Sequence, residues 1–253
     1  MTGPPPLPFG SLGNVTRAGK TLRRAKLLQE PMPTDEQVRQ ARKVVNSYRS
    51  AHDAPLRAAN MGLRSCITTE GFHPEVTQRL KRLPTIEDKL ARLTTMNLSS
   101  MQDIGGCRAV LITQEQVHRV LRRFRANSQR RNRQSDKTKD YVDTPRDSGY
   151  RAIHIHTSYH GRRIEVQLRT REQHRWAKLV EDLTRMTGVD FKNGDGPPEV
   201  HELLKELAVF LSIREPDQLP RDALVKDLTM LASDLVRRRR SVTLSSPKTQ
   251  EAT

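Results

Sequence analysis

The side chains best suited to chemistry lie between Tyr150 and Thr170, in the run YRAIHIHTSYHGRRIEVQLRT. At period two, Ile153, Ile155, Thr157 and Tyr159 point one way, and Tyr150, Ala152, His154, His156 and Ser158 point the other. His160 and Gly161 read as a turn, after which Ile164, Val166 and Leu168 alternate with Glu165, Gln167 and Arg169. A hairpin whose apolar rows share a core must also bring its polar rows together. The spacing therefore predicts Tyr150, His154, His156, Glu165, Gln167 and Arg169 on one exposed surface. An acid, an amide, two imidazoles, a phenol and a guanidinium so aligned make a candidate reaction surface, although the same row also suits a solvated sheet face. A second acid, Asp103, stands just before Gly105 and Gly106 and the apolar run CRAVLIT. A carboxylate at the start of a core strand, beside glycines that permit close backbone approach, is one way to present a magnesium ligand; it is also one way to make a turn.

Composition says what such a surface would meet. In 253 residues there are 45 Lys and Arg against 29 Asp and Glu, a net charge of +16. That balance attracts polyanions, so nucleotides, RNA and DNA are all candidates. From Val117 to Lys139 there are seven Arg and two Lys against one Asp, and the second half of the stretch, NSQRRNRQSDKTKD, is without apolar residues. It reads as a basic loop that binds phosphate, or as a solvated loop. The two cysteines, Cys66 and Cys107, have no ligand spacing around them and indicate neither a disulfide framework nor a zinc site. No apolar run approaches membrane-spanning length, and MTGPPPLPFG lacks the order of a signal peptide, so a cytoplasmic protein with no membrane partner is expected.

The elements that must position these groups follow in order. Residues 1–33 read as a disordered, basic N-terminal arm, in which Asn14 to Leu28, with Arg17, Lys20, Arg23, Arg24 and Lys26, is either an amphipathic basic helix that binds RNA or a solvated, partly ordered arm. Residues 34–73 form a helical region that Thr34 opens ahead of Asp35 and Glu36. A core spans 74–190. It begins with a helical stretch in which a helix starts near Thr85 and places Lys89 one turn in, continues through the Asp103 strand and a helix from Gln114 to Ala126, and ends with the hairpin and a helix whose stripe is Trp176, Leu179, Val180 and Leu183. FKNGDGPP is a linker. Two amphipathic helices, VHELLKELAVFLSI and DALVKDLTMLASDLVRRRR, fill 191–240, and 241–253 is a disordered tail.

Four blocks in this order resemble the synthetase domain of the RelA/SpoT family: RLKRLPTIEDK, MQDIGGCR, KDYVDTPRDSGYRAIHIH, and IEVQLRT followed by the helix containing His174. Across residues 75–186 the resemblance implies an α+β fold, a mixed-sheet nucleotidyltransferase-like core flanked by N- and C-terminal helices. It implies an enzyme that moves pyrophosphate from ATP onto a ribose 3'-hydroxyl. Asp103 and Glu165 would hold Mg2+, with Glu165 also helping to deprotonate the attacking hydroxyl. Arg79 and Arg108 would sandwich the adenine of ATP, and Lys81, Thr85 and Lys89 would face its phosphates. Tyr150 would stack on the acceptor base, Lys139, Arg146 and His154 would lie near acceptor phosphates, and Gln167 and Arg169 would support the site.

The chain departs from the family's pattern on the acceptor side. Ser148 stands where the family often carries an Asn that contacts guanine, and Arg151 where a Gln commonly follows the stacking Tyr. There is no His-Asp dyad of the family's hydrolase domain. Small members of the family divide into makers of guanosine alarmones from GDP or GTP and toxins that pyrophosphorylate the 3' end of tRNA, which would imply an antitoxin partner. The charge, the basic arm and the basic loop favour tRNA. A non-catalytic RNA-binding module is a third reading, which the presence of both acids disfavours.

Overall fold

The computed structural model describes residues 9–130 and 137–213, together with Met230, Ser233, Asp234, Arg237 and Arg238, which are helical. It is an α+β protein: five strands form one mixed sheet in the order β1-β2-β5-β4-β3, flanked by helices. The chain divides into two compact units. The first comprises Met1–Ala109, Glu115–Lys139 and His154–Leu168, and the second Val110–Gln114, Asp140–Ile153 and Arg169–Thr253.

In the first unit the N-terminal segment is the amphipathic helix of the two readings, α1 (Leu12–Leu27), rather than a solvated arm. Ser11 caps it, accepting from the Asn14 amide, and Val15, Ala18, Gly19 and Leu22 are buried at the i, i+3, i+4, i+7 spacing of an amphipathic face. They meet Ala41, Val45 and Tyr48 of α2 (Asp35–Ser50) and Ile86 and Leu90 of α4 (Leu83–Arg92) in one apolar cluster. Gly19 permits a close approach, since a Cβ there would lie 2.8 Å from Leu98 Cβ. Thr34 opens α2 as expected, in a capping box with Gln37. The helical region breaks at Ala51 and His52 before α3 (Asp53–Thr69).

The segment expected to lead helically into Thr85 starts instead as an edge strand, β1 (Glu75–Leu80), whose mixed side chains are half-buried or exposed. Next to it β2 (Gly105–Leu111) buries Cys107, Ala109 and Leu111. Helix α5 (Gln114–Arg130) buries Val117, Val120, Leu121 and Phe124, and Arg119 and Arg123 clamp Glu70 just past α3. The anticipated basic loop is thus helix up to Arg130 and strand from Lys137, as β3 (Lys137–Asp140); residues 131–136 lie outside the described residues.

Strands β4 (Ile153–Tyr159) and β5 (Arg162–Thr170) form the predicted hairpin. His160 and Gly161 both take positive φ, 47° and 72°, which is the turn that matches the twist of a two-residue hairpin. Ile153, Ile155, Ile164, Val166 and Leu168 are fully buried, as the alternation requires.

In the second unit α6 (Arg171–Thr187) buries Trp176, Leu179, Val180 and Leu183 against Val200, Leu204, Leu207 and Leu211 of α7 (Pro198–Ile213). Phe191, in the stretch read as a linker, is fully buried in the same cluster. Of the second C-terminal helix only the five helical positions named above are described, and the 241–253 tail lies outside the described residues. No helix among the described residues is long and apolar enough to cross a membrane.

Candidate active site

Asp103 lies two residues before β2, held by the residue that follows β1 and by one in the last turn of α4. Lys81, the residue after β1, is pinned by its backbone amide to the Ile104 carbonyl at 2.8 Å, and its Nζ donates to Asp103 Oδ2 at 2.8 Å. Lys89, one turn beyond Thr85 on α4, donates from Nζ to Asp103 Oδ1 at 2.8 Å. α4 is itself held at its middle and at its C-terminus. Buried Glu87 accepts from Arg42 of α2 at 2.8 Å, and Arg23 of α1 donates to the carbonyls of Leu90, Leu93 and Met96, closing the helix's C-terminus with a cation. Burial pushes the Asp103 carboxyl up, but Lys81 and Lys89 more than offset it and hold the group below its ordinary range. Asp103 is therefore an anion between two ammonium groups.

Glu165 has different company. The two-residue turn pairs Tyr159 with Arg162, which sets His156 opposite Glu165 and His154 opposite Gln167. His154 Nδ1 lies 2.9 Å and His156 Nε2 3.4 Å from Glu165 Oε1, and Gln167 Nε2 donates to Oε2 at 2.6 Å. Burial opposes the charge of Glu165, yet the hydrogen bonds from His154 and His156 outweigh it and hold the carboxyl well below the usual range. Gly105 sits on the core face against Ile164, so by alternation Gly106 and Arg108 fall on the face of Glu165. Burial pushes the Cys107 thiol, on the core face, up to about 12.

In the second unit Tyr150 is fully buried. Its hydroxyl accepts from Arg169 at 2.5 Å, its ring lies 6.2 Å from that of Trp176, and Arg146, Arg169 and Lys192 approach its faces at 5.4, 5.0 and 5.2 Å. Arg146 also donates to the Tyr141 hydroxyl at 3.0 Å. Ser148 is buried, and Gly149, at φ +82°, lets α7 close in: a Cβ there would lie 3.1 Å from Lys205 Cα and 3.2 Å from Ala208 Cβ.

Residues 78–184 match the family described as a region found in RelA / SpoT proteins. This stretch is a RelA/SpoT region. Uncharacterized proteins of Mycobacterium tuberculosis and Mycobacterium bovis are 32% identical over 130 residues, 49% of this chain and 45% of theirs. The chain thus spans about half the length of the curated relatives it matches. Among solved structures, the small alarmone synthetase 2 of Bacillus subtilis superposes with a TM-score of 0.53 at 21% identity, over 75% of this chain and 98% of that one. The RelA/SpoT region therefore carries the synthetase fold that the four blocks imply.

Within the region, two clusters assemble: Lys81 and Lys89 on Asp103, and His154, His156 and Gln167 on Glu165. Thr85 is half-buried in the first turn of α4; Arg79 on β1 and Lys139 on β3 are exposed; Arg108 is half-buried. The expectation of one exposed polar surface needs correcting at three positions, the first of them His154, which is buried on the sheet. Tyr150 precedes the first residue of β4, so the alternation does not reach it, and it turns into the α6–α7 core of the second unit. Arg169, only 2% exposed, follows it there as its hydrogen-bond donor. His156 received no role from the sequence, although the spacing His-x-His on a strand already placed both imidazoles on one face.

Proposed function

We propose that the protein is a RelA/SpoT-type pyrophosphokinase, transferring the β,γ-pyrophosphate of ATP to a ribose 3'-hydroxyl. The observation that carries this is the pair of ionised carboxylates, Asp103 and Glu165, in a chain whose 78–184 stretch is a RelA/SpoT region. Both offer hard oxygen donors in charged form, which fits Mg2+. When bound, the ion neutralises charge on the transferring phosphates. The chain's own contributions are electrostatic and geometric. Lys81 and Lys89 supply cations fixed by β1 and α4, and Arg79 and Arg108 supply planar faces for adenine. Glu165, held by His154, His156 and Gln167, would help to deprotonate the attacking hydroxyl.

For the acceptor, a guanosine di- or triphosphate is the first reading, giving an alarmone synthetase. One basic residue expected to hold RNA is engaged inside the fold, Arg23 on the end of α4, while Lys26 pairs with Asp88 at the surface at 3.0 Å. Lys139, Arg146 and His154 would meet acceptor phosphates, and Tyr150 the base, with Ser148, Gln167 and Arg169 in support. Because Tyr150 is buried under α6 and α7, stacking on a base requires the segment 141–150 to loosen from α7. A tRNA acceptor, and with it a toxin with an antitoxin partner, is favoured by the charge of +16 and by exposed Arg17 and Lys20. Purified protein incubated with labelled ATP, Mg2+ and GDP, GTP or deacylated tRNA separates these. Label on GDP or GTP supports the first reading, label on tRNA alone the second, and label on none refutes the enzyme.

A further inference from the structure

We propose that His154, His156 and Glu165 form a site for a borderline divalent ion, Zn2+ or Co2+, distinct in donor chemistry from a site that takes Mg2+. Three features of the first unit carry this. The three side chains each offer one donor atom, and these atoms all lie within 4.8 Å of one another. Two of the separations, 2.9 and 3.4 Å, already match the edge between neighbouring ligands of one ion. With metal–ligand bonds of about 2.0–2.2 Å, that edge runs from about 2.8 Å in octahedral to about 3.6 Å in tetrahedral geometry. The ligands are also rigidly presented, with His154 and His156 two residues apart on β4 and Glu165 opposite on β5, in a register that a two-residue turn sets. Finally, Gln167 holds Glu165 Oε2 at 2.6 Å, the outer partner that fixes a ligating carboxylate.

The donor set decides which ion. Mg2+ prefers all-oxygen octahedra and gives up water reluctantly, whereas two imidazoles and a carboxylate suit the later divalent metals. The side chains of the three residues are only 8–15% exposed. A three-ligand site leaves at least one coordination position for an oxygen from outside the protein, such as that of a phosphate or a hydroxyl. The inference deepens the pyrophosphokinase reading through the shared Glu165, but it concerns binding in the absence of any nucleotide.

The test uses the full chain, free of any affinity tag, titrated with Co2+ alone and followed by its visible ligand-field absorption. One Co2+ per chain is expected, displaced by stoichiometric Zn2+ and unmoved by about a hundredfold excess of Mg2+, whose preference for all-oxygen ligands disfavours two imidazoles. His156→Gln, which keeps a hydrogen-bond donor for Glu165 but removes the imidazole, should weaken Co2+ at least about tenfold with an unchanged circular dichroism spectrum. Asp103→Asn should leave the Co2+ spectrum as it is. Absence of the absorption band, displacement by Mg2+, or equal binding by His156→Gln overturns the proposal. Pyrophosphate transfer is assayed separately in Mg2+. Transfer without Co2+ binding removes this site alone, and Co2+ binding without transfer removes the enzymatic reading alone.

Discussion

Two carboxylates of the first unit carry one charge each and live in opposite company. Asp103 is gripped by two ammonium groups on flexible stems, delivered by the end of β1 and by α4. Glu165 is gripped by two imidazoles and an amide, delivered by a single hairpin. Ammonium groups are point charges with no lone pairs, so the Asp103 cluster can bind phosphate but adds no metal donor beyond the acid itself. Imidazoles add donors. The same functional group thus anchors two cations at one site and stands among further metal donors at the other, according to which element supplies its neighbours.

The comparison is broken most severely by Glu165→Gln, which should lower pyrophosphate transfer by about 10²–10³-fold while calorimetric ATP binding is retained. Turnover near that of the unsubstituted protein would remove Glu165 from the chemistry. Asp103→Asn leaves two partly buried ammonium groups facing each other and should cost about 1–3 kcal/mol in denaturant unfolding. The double variant Asp103→Asn/Lys81→Met should recover part of that loss. Arg23→Ala uncovers the carbonyls at the end of α4 and should cost about 1–2 kcal/mol. It should also raise the KM for ATP through Lys89 and leave Co2+ binding at the hairpin untouched; equal effects at both would mean that the clusters are not independent. Acid sharpens the contrast least. The carboxyl of Asp103 is depressed in the folded protein, so its contribution is complete above the ordinary carboxylate range and is lost as pH falls through the folded value. Below about pH 4 the melting temperature of the unsubstituted protein should therefore fall more steeply than that of Asp103→Asn.

The hairpin was legible because β4 and β5 alternate strictly and their turn residues tolerate positive φ, so register and face followed from pattern alone. The same held for α6, with its apolar stripe, and for the capping box of α2. β1 was illegible: an edge strand of mixed polar side chains, exposed or half-buried, has no apolar rhythm to distinguish it from a helix. α1 was half legible, as one of two readings. Val15, Ala18, Gly19 and Leu22 do keep helical spacing, but small buried residues among five basic ones leave charge as the louder signal. The burial of Tyr150 depends on partners more than twenty residues away, Trp176 and Leu204 among them, which local periodicity does not register.

The grip of α1 on α4 sets a limit on modularity. The recognisable region begins at residue 78, yet the helix that bears Lys89 rests on Val15, Leu22 and Val45 and is stoppered by Arg23, all upstream of that boundary. Excised at its family borders, the segment would lose the scaffold that aims its own lysine. Grafting it into another protein would therefore mean transplanting the first two helices along with it.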